Sequence, residues 1–411
     1  MAVYVIDEIM GRGKTSAMIN HINQSSPEER YLFITPFLTE VDRIQSACKD
    51  REFESPKKEG GKLNNIKPLL SKKRNIVTTH ELFKRFDDEI LPLIESGGYT
   101  LIVDEAIDAI QKVEASAYDF KVLNERFVSV GEDKKVTWNV EDYSGRFSDY
   151  MELLTDRNVY AYNDTNWVSM IPVEFFESFK NVYLMTYMFG DQMLRCYLDL
   201  KGVKCSRLYV TGEDLDSYIF TDEVVPHPAI DFTNLIHIEL SKKLNRIGDG
   251  HWALSKNWYK RHYDSEEMTE LKNNLYNFFR NKAGTPSELN LWTTFGAENP
   301  GKPNEMDFQK KLSGKGYARG FRACNARGTN KYKHCVAAAY LVNRFPDTGI
   351  HNFLHSAGIE HDADRFALSE MLQWIWRTAI RDGKEIYLYI PSERMRNLLI
   401  QWMDDVKNGK E

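Results

Sequence analysis

Short apolar runs alternate along the chain with segments whose apolar residues recur at helical spacing. Residues 2–6 are rich in β-branched and aromatic side chains, which indicates a buried strand. The segment that follows places Ala17 and Ile22 on one face of a helix. Further strand-then-helix pairs occupy residues 31–48 and 75–86. This order predicts an α/β fold built on mainly parallel sheets flanked by helices.

Length and composition restrict the class of protein. With 411 residues the chain is too long for one hydrophobic core and fits two domains of ordinary size. The five cysteines are scattered and odd in number, which favours reduced thiols in a cytosol. No apolar run approaches the length of a membrane span, and the chain begins directly with a strand, so we expect a cytoplasmic protein. The net charge of −6 means that contact with nucleic acid would need a local basic surface.

The segment between the first strand and the first helix has the pattern of a phosphate-binding loop. Glycines there let backbone N–H groups approach phosphate oxygens, and the helix N-terminus adds a partial positive charge. Lys14 would reach the β- and γ-phosphates of a nucleotide, and the Thr15 hydroxyl would ligate Mg²⁺. The full pattern has a glycine where this chain has Glu8. The predicted nucleotide-binding residues of the loop are Gly11, Arg12, Gly13, Lys14, Thr15 and Ser16.

A second motif follows the apolar strand at residues 100–103. It begins with Asp104 and Glu105, and a strand that ends in Asp-Glu suits metal-assisted hydrolysis of a nucleotide. Asp104 would bind the nucleotide and hold the Mg²⁺ shell, and Glu105 would orient or deprotonate the attacking water. The two motifs occur in this order, each at the end of a predicted strand, and together they predict binding and hydrolysis of ATP.

Gly-Lys-Thr followed by Asp-Glu-Ala-Ile resembles motifs I and II of the superfamily 2 helicase-type ATPases, the DEAD-like group. Within that group the chain is most similar to viral and phage helicases of the replication-origin-binding kind. The resemblance implies two RecA-like lobes. It also implies nucleic-acid contacts at Thr35 and Pro36 and again at Thr79 and His80, and a coupling role for Thr186.

The second half of the chain carries further likenesses to this group. The strand at residues 289–295 resembles motif IV and includes Thr294, a predicted nucleic-acid contact. The segment around Gly328 resembles motif V, which couples nucleotide to nucleic acid, and Arg327 and Asn330 could meet phosphates there. An ordinary polar loop is the alternative interpretation of this segment.

Gln373, Arg377 and Arg381 are spaced i, i+4 and i+8, which predicts one polar stripe along a helix. The row resembles motif VI, although Trp376 replaces a glycine and the second arginine is displaced by one position. The resemblance implies catalytic roles, with Arg377 the better candidate for an arginine finger, worth ~10³–10⁵ in rate in other NTPases. The alternative is a stripe exposed to solvent.

The predicted domain division has three parts. The first RecA-like lobe spans residues 1–205 and carries an insertion at about 115–175. Residues 206–234 hold turn signals and are predicted to link the lobes, and residues 235–411 form the second lobe. Within the insertion, residues 128–138 predict a β-hairpin. The insertion as a whole is either a nucleic-acid wedge or a structural cap.

Two basic segments allow two interpretations each. Residues 55–74 combine glycines with many lysines, as in a solvated surface loop or a contact with a phosphate backbone. Residues 256–263 interleave basic and aromatic side chains, as in a base-stacking surface or a packed helix face, and we favour the packed face.

The residues and the resemblance together predict an ATP- and Mg²⁺-dependent translocase or helicase. Its expected partner is single-stranded nucleic acid, DNA rather than RNA, in phage replication or recombination, with other replication proteins as further partners and no membrane. A phage-encoded protein of this kind would act in the bacterial host cytosol. Three alternatives stay open: a packaging-type motor, a P-loop kinase or signalling NTPase, and a non-catalytic module that binds nucleic acid under the control of ATP.

Overall fold

The structure is a computed structural model of the 411-residue chain. It describes residues 1–36, 38–59, 61–225, 232–297, 305–324 and 330–410, with the backbone alone at position 330. Among these residues, no helix combines the length and the apolar character that crossing a membrane requires.

Sixteen α-helices lie within the described residues. They are α1 Lys14–Gln24, α2 Leu38–Ala47, α3 Lys62–Ser71, α4 His80–Phe83, α5 Leu91–Gly97, α6 Ala117–Arg126, α7 Ser148–Asp156, α8 Glu174–Glu177, α9 Met193–Leu200, α10 Lys242–Asn245, α11 Lys256–Arg261, α12 Glu266–Asn277, α13 Phe308–Leu312, α14 Thr348–Ser356, α15 Ala363–Ile375 and α16 Glu393–Lys407.

The described residues also form sixteen β-strands. They are β1 Ala2–Asp7, β2 Arg30–Thr35, β3 Ile76–Thr79, β4 Tyr99–Asp104, β5 Ile110–Lys112, β6 Val128–Val130, β7 Val136–Trp138, β8 Asn158–Asn163, β9 Asn166–Met170, β10 Asn181–Thr186, β11 Cys205–Thr211, β12 Ile219–Thr221, β13 Ile236–Ile238, β14 Asn290–Thr293, β15 Ala337–Tyr340 and β16 Ile386–Tyr389.

The chain divides into two compact units. The first comprises residues Met1–Val225 and Asp347–His361, and the second comprises Pro226–Pro346 and Asp362–Glu411. Each unit is built on a sheet flanked by helices, mainly parallel in the first unit and fully parallel in the second. The predicted fold class, two RecA-like α/β lobes with an insertion in the first, is therefore confirmed.

The sheet of the first unit has the strand order β12-β11-β1-β10-β4-β2-β3. All neighbouring pairs are parallel except β11 with β12. Successive side chains of β2 pack into different clusters, Leu32 and Ile34 into one and Phe33 into the other. Both faces are therefore buried, which explains why these strands are continuous apolar runs rather than alternating ones.

The insertion forms a small antiparallel subdomain. Strands β5, β9 and β8 make one sheet, and β6 and β7 form the predicted hairpin. Its own core includes Phe120, Leu123, Val136 and Trp167, and the rings of Phe120 and Trp167 meet edge to face at 5.1 Å. This core is separate from that of the main sheet, but Val168 and Met170 of β9 are buried in the core of the main sheet.

Helix α14 belongs to the first unit although it lies far along the chain. Asp347 is its N-cap, and the Asp347 carboxylate accepts from Gly349 N–H and Ile350 N–H. Phe353 and Leu354 are buried in the same core cluster as the main sheet. The chain therefore returns once to the first unit between two stretches of the second.

The second unit has a four-stranded parallel sheet in the order β13-β16-β15-β14. The residues at 256–263 pack as the favoured interpretation predicts. Tyr259 is fully buried and donates its hydroxyl to Leu341 O at 2.6 Å, and Trp258 stacks on His262 at 4.4 Å.

The observed division differs from the predicted linker at residues 206–234. Strands β11 and β12 extend the first sheet as far as Thr221, and the first unit runs to Val225. The turn around Gly212 closes a hairpin between these strands rather than starting a linker. Sequence turn signals do not distinguish the two cases, because hairpins and linkers use the same residue types.

Candidate nucleotide site in the first unit

The phosphate-binding pattern forms a tight turn between β1 and α1. Gly11 and Gly13 have φ values of 87° and 80°, which residues with a side chain rarely adopt. Gly13 is the N-cap of α1, and its carbonyl accepts from Ala17 N–H at 2.8 Å. The loop thus ends where the free N–H groups of the helix begin, as an anion site at a helix N-terminus requires.

Lys14 lies against the loop that it follows. Its ammonium donates to Glu8 O at 2.6 Å and to Ile9 O at 3.2 Å, and the residue is 8% exposed. Burial lowers the pKa of Lys14, and the nearby carboxylates of Glu105 and Asp104 oppose that shift. The lysine is therefore a buried cation surrounded by acidic side chains.

The two sequence motifs meet in the structure. The Thr15 hydroxyl lies 3.5 Å from Asp104 Oδ1, although the residues are 89 positions apart. Thr15 lies in the first turn of α1, and Asp104 is the last residue of β4. Both stand at the carboxyl edge of the parallel sheet, where ligands bind in open α/β folds.

Strand β10 lies between β1 and β4 and holds both motifs by backbone hydrogen bonds. Glu8 N–H donates to Thr186 O at 3.1 Å, and Glu105 N–H donates to Met185 O at 2.9 Å. The Thr186 hydroxyl is itself bonded to the Gln192 amide at 2.8 Å. Thr186, the predicted coupling residue, thus lies directly between the phosphate loop and the Asp-Glu pair.

Asp104 has an unusual acidity. Burial, together with Glu105 and Glu40, raises the pKa of its carboxyl group to about 7, and Lys14 and Arg43 act in the opposite direction. Glu40 and Arg43 belong to α2 and form an ion pair at 3.1 Å. Their influence on Asp104 was not predicted, since nothing in the local sequence of α2 indicates which strand end it faces.

Glu105 has a left-handed backbone conformation, with φ at 66°. This conformation is costly for a residue with a side chain, about 1–3 kcal/mol, and it tends to persist at functional sites. The neighbouring hydrogen bond to Met185 O fixes the turn. The strained conformation therefore occurs directly after the end of β4, at the second carboxylate of the Asp-Glu pair.

The donor set fits Mg²⁺. A hydroxyl and a carboxylate are hard oxygen ligands, and Mg²⁺ is commonly held by one or two protein oxygens together with phosphates and water. Among the described residues there is no group of three or more His, Cys, Asp or Glu side chains that could hold a metal alone. Thr15 and Asp104 are thus the side chains that could hold Mg²⁺ here together with a nucleotide.

The predicted nucleic-acid contacts in this unit differ in accessibility. Thr35 is fully buried, and its hydroxyl does not reach the surface. Pro36 and Thr79 are half-buried at the sheet edge. The His80 ring is 5% exposed, and its Nε2 lies 2.9 Å from Asp104 O. Thr35 and His80 thus have buried, structural surroundings, and His80 supports the strand end that carries Asp104.

The β11–β12 hairpin packs against the phosphate loop, a contact that sequence reasoning missed. A Cβ atom added to Gly13 would lie 2.6 Å from the Tyr218 ring. The Asn20 amide donates to Leu215 O and to Tyr218 O, both at 3.0 Å, which ties the hairpin to α1. The hairpin therefore limits both the shape and the movement of the loop. No local signal in residues 206–225 could have revealed it.

The helical stripe predicted for the second unit is wrong. Helix α15 ends at Ile375, so Gln373 is helical while Arg377 lies in the following turn. The Thr378 hydroxyl donates to Ile375 O at 2.7 Å, and Ala379 N–H donates to Cys335 O at 2.9 Å. These bonds replace the next helical ones, which is why the helix stops there.

The three members of that row have different surroundings. Arg377 is 4% exposed, Gln373 is half-buried, and Arg381 is exposed in a short 3₁₀-helix. Thr294 is fully buried directly after β14. Three further predictions fall on the motif V-like segment: Arg327 and Gly328 lie outside the described residues, and so does the side chain of Asn330.

Comparisons with known proteins relate the whole chain to one bacterial relative. It is 38% identical to the SPbeta prophage-derived uncharacterized protein YonV of Bacillus subtilis (strain 168), across 98% of this chain and 99% of the relative. Residues 230–403 match the family model of the YonV C-terminal Rossmann-like domain.

The chain also has a likeness to a solved structure, that of S. tokodaii Xpd4. The likeness covers 98% of this chain and 94% of the other, with 10% identity and a TM-score of 0.42.

Proposed function

This chain belongs to the YonV family, and we propose that it is an ATPase that couples hydrolysis to movement along single-stranded nucleic acid. The observation that carries the proposal is the approach of the Thr15 hydroxyl to the Asp104 carboxylate at 3.5 Å, beside the buried Lys14. Phosphate loop, Asp-Glu pair and connecting strand β10 meet at one edge of the first sheet. A structural role alone does not explain why four acidic residues, Asp7, Glu8, Asp104 and Glu105, gather around a buried lysine there.

Each residue of this edge has a part in the proposed reaction. The N–H groups of the loop and the Lys14 ammonium would bind the β- and γ-phosphates of ATP. Thr15 and Asp104 would hold Mg²⁺, which neutralises phosphate charge when it is bound. Glu105 would orient the attacking water and accept its proton. Strand β10 would keep these groups in register through its bonds to Glu8 and Glu105.

The second unit would supply the positive charge that completes the reaction. The proposal assigns this role to Arg377, whose guanidinium can stabilise charge that develops on the γ-phosphate. ATP would favour a closed arrangement because only there do both units contact the γ-phosphate, and hydrolysis would remove that preference. Cycling between the two arrangements would move the protein along a bound strand.

The prophage origin of the relative supports a role in phage replication or recombination, with single-stranded DNA as the expected track. The test is ATP turnover measured with and without single-stranded DNA or RNA. We expect turnover that nucleic acid stimulates and that Lys14→Ala reduces at least about 10²-fold, since a phosphate-binding cation is lost. Lys121→Ala, at an exposed position of the insertion, is the matched control and should keep the wild-type rate.

The other outcomes distinguish the alternatives. Turnover that is indifferent to nucleic acid would favour a kinase or signalling NTPase. Stimulation by duplex DNA in preference to single strands would favour a packaging-type motor. Binding of ATP without turnover would favour a module that uses ATP as a conformational ligand, and it would overturn the proposed ATPase.

A further inference from the structure

A basic cavity lies in the first unit at the edge of the sheet opposite the phosphate loop. Its volume is about 370 Å³. Its lining includes Arg30 at the start of β2 and Asn75 directly before β3, whereas the loop follows the end of β1. Because these strands run in the same direction, the cavity is separated from the loop by about the 16 Å length of α1.

The cavity is positively charged within an acidic protein. Five basic side chains face two carboxylates in its lining, in a chain whose net charge is −6. The basic members come from separate elements, which converge on one concave surface. They are Arg30, Arg51, Lys72, Lys73 and Arg74, and the carboxylates are Asp50 and Glu52.

These basic side chains differ in whether they already form ion pairs or hydrogen bonds within the protein. Arg74 pairs with Glu54 at 2.5 Å and with Glu52 at 3.3 Å. The buried Arg51 guanidinium donates to the carbonyls at the end of α1, including that of Ser26 at 2.8 Å. Arg30 donates to Pro27 O at 2.6 Å. These three arginines are thus held in place by their own partners.

Lys72 and Lys73 are exposed, and within the described residues their ammonium groups form no ion pair or hydrogen bond. Both follow directly on the end of α3, where positive charge also complements the helix dipole. That local effect accounts for two lysines at a helix end. It does not account for a cavity in which arginines from other elements face the same space.

The chemistry of the lining limits the ligand. Among the described residues that line the cavity there is no aromatic side chain, and the apolar member is Pro27, so this lining offers no surface on which a base could stack. The volume lies within the range of small-ligand sites. Recognition must therefore rest on charge, and phosphate groups match both the sign and the spread of the basic side chains.

We propose that this cavity binds phosphate groups of a nucleic-acid strand, with Lys72 and Lys73 as the contacts that release counterions. The site is separate from the phosphate loop and does not depend on ATP hydrolysis. It also gives the basic segment at residues 55–74 a function, since that segment contains the two lysines. A free phosphate compound has the same chemistry, and the test separates the two sources.

The experiment measures binding of fluorescent single-stranded DNA to the full chain without ATP, across a series of salt concentrations. The variant is Lys72→Gln/Lys73→Gln, which removes both charges and keeps side-chain length. We expect affinity to fall at least about threefold, and the slope of log K against log salt to fall by about 1.4, or about 0.7 for each lost contact. Lys242→Gln/Lys243→Gln, on an exposed pair in α10, changes net charge equally and should leave the slope unchanged.

Inorganic phosphate and tripolyphosphate are titrated by calorimetry against the same variants and against Lys14→Ala, which weakens the phosphate loop alone. Loss of a phosphate site in the Lys72/Lys73 variant but not in Lys14→Ala, with DNA affinity unchanged, would support the cavity and assign it to a free phosphate compound. If the folded Lys72/Lys73 variant binds DNA and phosphates as the wild type does, or if the wild type binds neither, the proposal is overturned. A melting temperature within about 2 °C of wild type establishes folding for this purpose.

Discussion

The residues predicted for the nucleotide site come from both units, and their arrangement differs between the two. In the first unit, Lys14, Thr15, Asp104 and Glu105 come together at the ends of parallel strands. In the second unit, the predicted row that includes Arg377 is divided between a helix, a turn and a 3₁₀-helix. Strand-end motifs are robust because parallel strands deliver their carboxyl ends to one edge. A helical stripe is fragile because it exists only where the helix continues.

The strongest test of this difference between the units is the substitution Arg377→Ala. If the buried arginine serves the reaction, turnover should fall ~10³–10⁵-fold while ATP affinity changes little, because the charge acts on the transition state. Steady-state kinetics measure the split between kcat and KM. Arg381→Ala is the matched control, because Arg381 is exposed, and its turnover should stay near wild type.

The result also decides between the two arginines of the predicted row. Equal losses in both arginine variants would support the predicted catalytic row of Gln373, Arg377 and Arg381. Full activity in Arg377→Ala would show that Arg377 of the second unit takes no part in the reaction. Arg377→Lys retains the charge without the planar fork and should recover only part of the rate.

A second prediction concerns Glu105→Gln, which keeps the side chain's shape and removes the proton acceptor. We expect turnover to fall about 10²–10⁴-fold, the usual range for loss of a general base, with nucleotide binding retained. Single-turnover hydrolysis and equilibrium binding of ATP are the two measurements. Asp108→Asn, at an exposed carboxylate in the same loop, should remain active. Comparable loss in that control would mean that local charge, rather than Glu105 itself, supports the reaction.

The contact between the hairpin and the phosphate loop leads to a third prediction. Gly13 and Gly11 both have positive φ, but only at Gly13 would a Cβ meet a ring, whereas nothing lies within 4 Å at Gly11. We expect Gly11→Ala to cost about 1–2 kcal/mol in unfolding free energy from backbone strain, and Gly13→Ala about 1–3 kcal/mol more from overpacking. Urea denaturation measures both. Adding Tyr218→Ala should recover part of the Gly13 loss and none of the Gly11 loss, and equal costs at the two glycines would contradict the contact.

The smallest expected effect is a pH dependence of stability. Burial raises the pKa of Asp104 from 3.8 to about 7, so the folded protein holds a proton that the unfolded chain releases between these values. Stability from this group is complete below pH 3.8 and is lost as the pH rises through about 7. Without Mg²⁺, we expect wild type to lose on the order of 2 kcal/mol relative to Asp104→Asn between pH 5 and 8. Urea titrations at each pH give the difference, and parallel curves for the two proteins would disprove the shift.

Much of the first unit could be predicted because its strands are buried on both faces and end in recognisable motifs. The hairpin of β6 and β7 could also be predicted from the sequence, because of its charged turn. The position of His80 against Asp104 O was not, because a histidine after a strand gives no sign of which neighbour it will face. The end of α15 depends on the Cys335 carbonyl, a partner distant in sequence that replaces the local helical bond of Ala379. A tertiary hydrogen bond that replaces a helical one in this way leaves no periodic pattern in the sequence.

The return of α14 to the first unit has a consequence for biosynthesis. The ribosome makes the main sheet early, but the helix that packs on β5, β8 and β9 emerges only after β13, β14 and β15. Phe353 and Leu354 therefore reach their places late, and the apolar surface that they cover is open until then. A fragment that ends at Val225 would carry that open surface permanently. Expression of the first half alone should therefore favour aggregation, and adding a segment that contains α14 should relieve it.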